Sequence, residues 1–311
     1  MRRMKFSRLT LLVAAIVVVF IQACSSEEES FLEQQVKKDD QILTEYLESN
    51  QIEAQKTLDG VFFHPIVSNE SGERPAVDDV AYIYYTVRLL NGDSITGRSA
   101  TMGEPVPFLM NSQNIVPPGI NSGVAQMRIG EKFRLYIPSA SGYWNYASDD
   151  IPAYSNLMVD VELISSFNEN EQKDYEKGLI EDFAVEAGID NELESFSSGL
   201  NIYTIADGNG DKPLMGESLK VKYKGMLMDS TVFDETTGSQ TFTFAVGGNG
   251  TIPGWEEGIP KLNKGTKALL LIPSHLAYGK SDFLTLPSEI RSEYRIPPYS
   301  TLMFEVEVLN Q

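Results

Sequence analysis

Gly258-Ile259-Pro260-Lys261-Leu262-Asn263-Lys264-Gly265 has an earlier counterpart in Gly123-Val124-Ala125-Gln126-Met127-Arg128-Ile129-Gly130. Continuing without a gap, Ile272-Pro273-Ser274 falls on Ile137-Pro138-Ser139, and Tyr278 falls on Tyr143. At the ends of the two segments, Leu302-Met303-Phe304-Glu305-Val306-Glu307-Val308 answers Leu157-Met158-Val159-Asp160-Val161-Glu162-Leu163. A repeat of this length is a whole domain and not a solenoid unit, so one fold is written twice. Leu219 to Lys224 and Thr241 to Val246 alternate, Ala268 to Ile272 is a continuous apolar run, and Thr301 to Leu309 alternates again. Trp255 to Leu262 has room only for a short helix, ended near Gly265. Four or five strands around one short helix predict an α+β domain of about 110 residues.

Each copy follows an amphipathic segment. Ile42, Leu43, Tyr46 and Leu47 precede the first, and Leu179, Ile180, Phe183 and Ala184 the second. The i, i+1, i+4, i+5 spacing places each set on one helical face, to pack on its own domain or to pair two chains. Between the copies, Phe167 to Lys177 is polar and lacks strand alternation, which places the boundary there. The expected partition is a leader over 1–23, an acidic tether over 24–34, a first domain with its helix over 35–168, a linker and helix over 169–197, and a second domain over 198–311.

Arg2, Arg3, Lys5 and Arg8 form a basic n-region, and Leu9 to Ile21 an apolar run too short to span a bilayer comfortably. The following Ile21-Gln22-Ala23-Cys24 resembles a lipobox, in which cleavage leaves a lipidated Cys24 as the new N-terminus and the anchor to a membrane. The other reading is an ordinary export signal with a bystander cysteine. Cys24 is the sole cysteine, so an exported chain could form no internal disulfide and must be stabilised by packing. Ser25-Ser26-Glu27-Glu28-Glu29-Ser30 is either a solvated tether or, by resemblance, the signal that sends some Bacteroidota lipoproteins to the outer face of the outer membrane. The resulting expectation is a lipid-anchored protein of the cell envelope. A formal net charge of -19 disfavours nucleic acid as a partner, and two histidines with one cysteine make a His/Cys metal site improbable. With 42% apolar residues, 311 residues suffice for about two packed domains.

The second copy carries the chemistry. Tyr223, Phe233-Asp234, Phe242, Ile252-Pro253-Gly254-Trp255, Ala277-Tyr278-Gly279, Ile296-Pro297-Pro298 and Phe304 offer apolar walls with few polar tips, and no nucleophile, metal ligand or phosphate-binding glycine loop. Such a pocket suits a neutral, apolar group. In order and spacing these motifs closely resemble those of the FKBP-type peptidyl-prolyl isomerases, over about residues 198–311, with 57–168 a diverged copy. The resemblance implies a curved antiparallel sheet wrapped around a short helix. It implies Trp255 as the floor under a substrate proline ring, and Phe233, Phe242, Ile252, Ile296 and Phe304 as substrate-binding walls. Tyr223, Asp234 and Tyr278 would be the catalytic polar groups, with Asp234 orienting Tyr223 or a neighbour. No cofactor and no metal are required, and the partners implied are proline-containing polypeptide clients.

Amide resonance gives an X-Pro bond a rotation barrier of roughly 18–20 kcal/mol, and isomerisation takes tens of seconds or more. The planar amide is the more charge-separated form, so an apolar pocket favours the twisted one. A 10⁴-fold acceleration needs only about 5.5 kcal/mol of differential binding, from shape, desolvation and donors such as the Tyr278 hydroxyl or the Ile252 amide. Lys280 to Arg295, with Phe283, Leu284, Leu286, Pro287 and Tyr294, is longer than the short loop that overhangs the pocket in this family. It bears on substrate choice and on macrolide affinity. In the first copy Tyr85 and Tyr143 persist, but Ile95-Thr96, Ile120 and Val159 replace the Phe-Asp pair, the tryptophan and the last phenylalanine. That copy is expected to have lost its pocket and to serve as spacer, dimer surface or client-binding site. Two readings follow: an isomerase assisting the folding of exported proteins, or a polypeptide-binding chaperone or envelope adaptor in which isomerisation is incidental.

Overall fold

The computed structural model describes residues 30–112, 115–280, 283–284 and 294–310, with backbone alone at 283, 284, 294 and 295. The leader, Cys24 and residues 25–29 lie outside the described residues, as does most of the long loop.

Helix α1, Phe31–Ser49, opens with a capping box: the Ser30 hydroxyl accepts from the Glu33 amide at 3.3 Å, and Glu33 Oε2 accepts from the Ser30 amide at 2.8 Å. Residues 31–34, assigned from sequence to the tether, are therefore helical. The first sheet contains β1 (Gln55–Lys56), β2 (Phe62–Val67), β3 (Val80–Leu89), β4 (Ser94–Arg98), β5 (Val106–Leu109), β6 (Lys132–Ile137) and β7 (Leu157–Phe167), with helix α2 (Gly119–Val124) in its hollow. Its order is β1-β2-β6-β7-β3-β4, with β5 also paired to β3, and every pairing is antiparallel.

Helix α3, Glu169–Ala187, follows β7 directly. It is capped by Asn168 and Glu171 and ended by Gly188 at φ 68°, a left-handed conformation that glycine adopts without strain. The second sheet contains β8 (Leu193–Ser195), β9 (Asn201–Ala206), β10 (Ser218–Leu227), β11 (Val232–Glu235), β12 (Phe242–Ala245), β13 (Lys267–Ile272) and β16 (Leu302–Val308) around helix α4 (Pro253–Gly258). Its order β11-β10-β16-β13-β9-β8, with β12 on β10, repeats that of the first sheet. At the base of the long loop, β14 (Phe283–Leu284) and β15 (Tyr294–Ile296) pair as a separate antiparallel ribbon.

Both sheets are covered on two faces, which explains the continuous apolar run in β13. Ala268, Leu270 and Ile272 join Phe304 and Val306 in the core around α4, whereas Leu271 and Met303 point the other way and meet Ile180 of α3. In the first domain Tyr136 and Met158 likewise meet Leu43 and Leu47 of α1. Each leading helix thus packs on the sheet that follows it.

Three expectations need correction. The sheets have seven strands each among the described residues, not four or five, because pieces as short as β1 and β8 show no alternation to read. The boundary at Phe167 to Lys177 falls where β7 ends and α3 begins at once, so the linker and helix expected over 169–197 is helical from its first residue. The buried stripes are Gln35, Asp39, Leu43, Leu47 in α1 and Gln172, Glu176, Ile180, Ala184 in α3. Their first halves are polar, so apolar periodicity finds only the later turns. Ile42, counted on the apolar face, is exposed.

Candidate active site

Helix α4 begins at Pro253, with Ile252 as its N-cap; the Ile252 carbonyl accepts from the Trp255 and Glu256 amides at 2.9 and 3.2 Å. The Ile252 amide makes no hydrogen bond among the described residues. Two glycines let the helix lie close to β13. A Cβ at Gly254 would sit 2.5 Å from Ile272 Cγ2, and one at Gly258 would sit 2.8 Å from Leu270 Cδ2. This approach carries Trp255 into the hollow of the sheet, where it is 4% exposed.

Aromatic rings surround that indole edge to face. Trp255 lies 5.3 Å from Tyr223 at 81°, 5.3 Å from Phe304 at 81° and 5.7 Å from Phe242 at 83°, between ring centroids. Phe233 packs on Phe304 at 5.5 Å and 80°. These are favoured geometries for aromatic pairs, worth about 0.5–1.5 kcal/mol each beyond area burial. The Trp255 Nε1 is buried without a hydrogen-bond partner among the described residues.

Polar groups are confined to the rim. The Tyr223 phenol donates to Asp234 Oδ2 at 2.6 Å, and both groups come from paired strands in which Asp234 stands opposite Gly225. Ile296 is buried in the same core cluster, with Tyr278 and Ile252 packed against it. Phe242, by contrast, is 36% exposed and forms the outer lip. The described structure therefore gathers Tyr223, Phe233, Phe242 and Phe304 about Trp255 through ring contacts and Asp234 through Tyr223, and places Ile252, Tyr278 and Ile296 in or against the same core cluster. The side chain of Arg295 and residues 285–293, including Leu286 and Pro287, lie outside the described residues.

Sequence reasoning missed two contributors. Gly225 faces Phe304 across β10 and β16, and a Cβ there would lie 2.6 Å from the Phe233 ring and 2.9 Å from the Phe304 ring. Its signal in the sequence is a glycine two residues after Tyr223, inside an alternating strand. The other is Glu176, 1% exposed, whose Oε2 accepts from the Ser274 amide at 2.7 Å and whose Oε1 accepts from the Ser274 hydroxyl at 2.6 Å. Burial pushes the Glu176 carboxyl up, against the hydrogen bonds from Gln172 and Ser274 that pull it down. Ser274 opens the 3-10 turn leading to Tyr278, and no local sequence signal connects it with a helix so far upstream.

The first copy has the same scaffold with a filled hollow. Gly119 and Gly123 of α2 approach Ile137 and Leu135 as Gly254 and Gly258 approach Ile272 and Leu270. Ile120 occupies the tryptophan position, and Val87 stands opposite Val159 and Thr96 where Gly225 stands opposite Phe304 and Asp234. Ile120, Val87 and Val159 are fully buried, and the Tyr143 hydroxyl is buried without a partner among the described residues. Burial pushes that phenol well above its ordinary range.

The model of the FKBP-type peptidyl-prolyl cis-trans isomerase family matches residues 71–164 and 210–309, more than half of the chain. The chain belongs to that family. It is 36% identical over 157 residues to the FKBP-type peptidyl-prolyl cis-trans isomerase FkpA of Escherichia coli, covering 50% of this chain and 51% of that one. With the FKBP-type 22 kDa peptidyl-prolyl cis-trans isomerase of Escherichia coli it shares 40% identity over 118 residues, 38% of this chain and 52% of the relative. The chain thus spans about half the length of these curated relatives. The crystal structure of the three FKBP domains of wheat FKBP73 aligns with 83% of this chain and 98% of its own, at 22% identity and a TM-score of 0.33. The matched stretches run from β3 into β7 and from β10 through β16, one in each sheet, so the diverged first copy is of the family too.

Proposed function

We propose that the second domain is a peptidyl-prolyl cis-trans isomerase that accelerates prolyl steps in the folding of exported polypeptides. One observation carries this reading: a buried Trp255 floor ringed edge to face by Tyr223, Phe242 and Phe304, with the Asp234 carboxylate tied to Tyr223. A proline ring is neutral, flat enough to lie on an indole and free of an amide donor, so it loses little on entering such a hollow. The twisted amide is favoured where water is excluded, and the Ile252 amide and the Tyr278 side chain supply donors at the edge. Asp234 acts on Tyr223 by hydrogen bonding, and no proton is transferred.

In the same reading the first copy contributes little isomerisation, because Ile120 and Val159 stand in place of the aromatic floor and wall and Val87 in place of Gly225. Cys24 anchors the chain by lipid to the cell envelope, with the outer membrane favoured by the lipobox-like Ile21-Gln22-Ala23-Cys24 and its acidic sequel. The test is a proline-peptide isomerisation assay on the purified chain beside Trp255→Ala, Asp234→Ala and Tyr278→Phe. The isomerase reading requires a wild-type rate well above buffer and a loss of about tenfold or more with Trp255→Ala. A wild-type rate equal to buffer, with unfolded clients still held in solution, would move the function to a polypeptide-binding module. Membrane partition of Cys24→Ala equal to wild type would remove the lipid anchor.

A further inference from the structure

Glu176 belongs to neither isomerase-like fold, yet its carboxylate is bonded at the root of the segment that carries Tyr278. Ser274 is held twice, through its amide at 2.7 Å and its hydroxyl at 2.6 Å. The Ser274 carbonyl in turn accepts from the amides of Ala277 and Gly279, each at 2.9 Å, the two neighbours of Tyr278. Two hydrogen bonds from one carboxylate fix both the position and the rotation of that peptide, and the 3-10 turn transmits them to the tyrosine.

The contact does not end there. Gln172, one turn earlier in α3, donates through Nε2 to Glu176 Oε1 at 2.7 Å and also to the Tyr82 phenol oxygen at 2.8 Å, while the Tyr82 phenol lies 3.1 Å from Gln172 Oε1. Tyr82 belongs to β3 of the first domain and is 5% exposed. Tyr175 packs beside it at 5.2 Å. A buried carboxylate with no cation bonded to it among the described residues is expensive compared with an aliphatic side chain of similar size, so packing alone does not account for it.

The first copy supplies the comparison. Asp39 of α1 accepts from the Ser139 amide at 3.0 Å and from its hydroxyl at 2.5 Å, and Gln35 donates to Asp39 at 2.7 Å. There the chain of bonds stops: among the described residues Gln35 bonds to nothing of another domain. The helix-to-serine clamp is therefore common to both copies, and the extension through Gln172 to Tyr82 is added only where the aromatic pocket exists.

We propose that Glu176 is a positioning residue for Tyr278, and that Gln172 makes Tyr82 of the first domain part of what sets that position. The proposal rests on the isomerase reading, and assigns the diverged domain a task on the other domain's pocket. It is tested on the full chain labelled with 3-fluorotyrosine, the Tyr278 resonance being identified by Tyr278→Phe. Glu176→Gln is expected to lower kcat about tenfold with KM for a proline tetrapeptide unchanged, and to shift the Tyr278 resonance. Tyr82→Phe, which keeps the ring and removes only the phenol, is expected to shift the same resonance and lower kcat by a smaller factor. Asp39→Asn, the counterpart in the first copy, should leave both readouts at wild type. An unmoved Tyr278 resonance in Tyr82→Phe overturns the proposal, even if Glu176→Gln proves too unstable to assay. A wild-type chain without isomerase activity would refute the isomerase reading, and the resonance alone would then decide whether the relay positions Tyr278.

Discussion

Replacing Gly225 with alanine tests whether the pocket depends on the close approach of its walls. The added Cβ would lie 2.6 Å from the Phe233 ring and 2.9 Å from the Phe304 ring, where ordinary contact begins at 3.4 Å. Phe304 has little freedom to yield, because Trp255 stands 5.3 Å behind it and Tyr223 6.2 Å away. The strain therefore reaches the floor, displacing the rings by roughly 0.5–1 Å in a core packed like an organic crystal. Overpacking of this kind costs about 1–3 kcal/mol, offset by about 0.5–1 kcal/mol because alanine suits a strand better than glycine. We expect a net loss of about 1–2 kcal/mol in urea denaturation, and a fall of about 10- to 100-fold in kcat/KM for a proline peptide. The control is Gly178→Ala in α3, where an added Cβ meets nothing within 4 Å; it should gain about 0.5–1 kcal/mol and leave kcat/KM unchanged. A Gly225→Ala chain with wild-type stability and wild-type kcat/KM would refute the reasoning.

Gly254→Ala puts a Cβ 2.5 Å from Ile272 Cγ2 under the floor helix, and should cost about 1–3 kcal/mol by chemical denaturation while lowering peptide affinity. In the first domain Asp160 is half-buried between Arg88, at 2.8 Å, and Arg134, at 2.7 and 3.0 Å. Burial raises its carboxyl, but the two guanidinium groups outweigh that and hold it below the ordinary 3.8. Its stabilisation is thus present above about pH 4 and is lost as pH falls through the lowered value; Asp160→Asn should cost about 2 kcal/mol at neutral pH and flatten the acid limb of the stability curve. Glu176 has the opposite sign, since burial raises its carboxyl above 4.5. The folded state then holds the proton more tightly than the unfolded state, so stability falls as pH rises from 4.5 to the raised value and levels off beyond it, and Glu176→Gln should remove that slope in a denaturation series.

The doubled fold was legible because its marks are local: the Gly-bounded segment before β6 and β13, the Ile-Pro-Ser turn and the terminal alternating strand each occupy a few consecutive residues. The pocket walls were legible for the same reason, since Phe233-Asp234 or Ile252 to Trp255 stand together in the chain. Helices α1 and α3 were under-read, because Gln35-Asp39 and Gln172-Glu176 fill the buried stripe with polar side chains whose partners, Ser139 and Ser274, are remote in sequence. Gly225 was under-read because a missing side chain shows its purpose only when the rings that need the space are placed around it.

The two copies differ by changes that are coupled and not independent. Where β10 has glycine, the strand opposite carries Phe304 and the helix carries Trp255; where β3 has Val87, the same places hold Val159 and Ile120. Restoring one ring alone, as in Val159→Phe, would press it against the Val87 side chain, and removing Val87 alone would leave a void beside Val159. The differences are thus tied together at several positions, while the scaffold glycines Gly119 and Gly123 remain as close to β6 as their counterparts are to β13. Packing of this kind keeps the first domain folded, and from it Tyr82 reaches Gln172 and Tyr175 of α3 while Arg98 reaches Asp229 of the second domain.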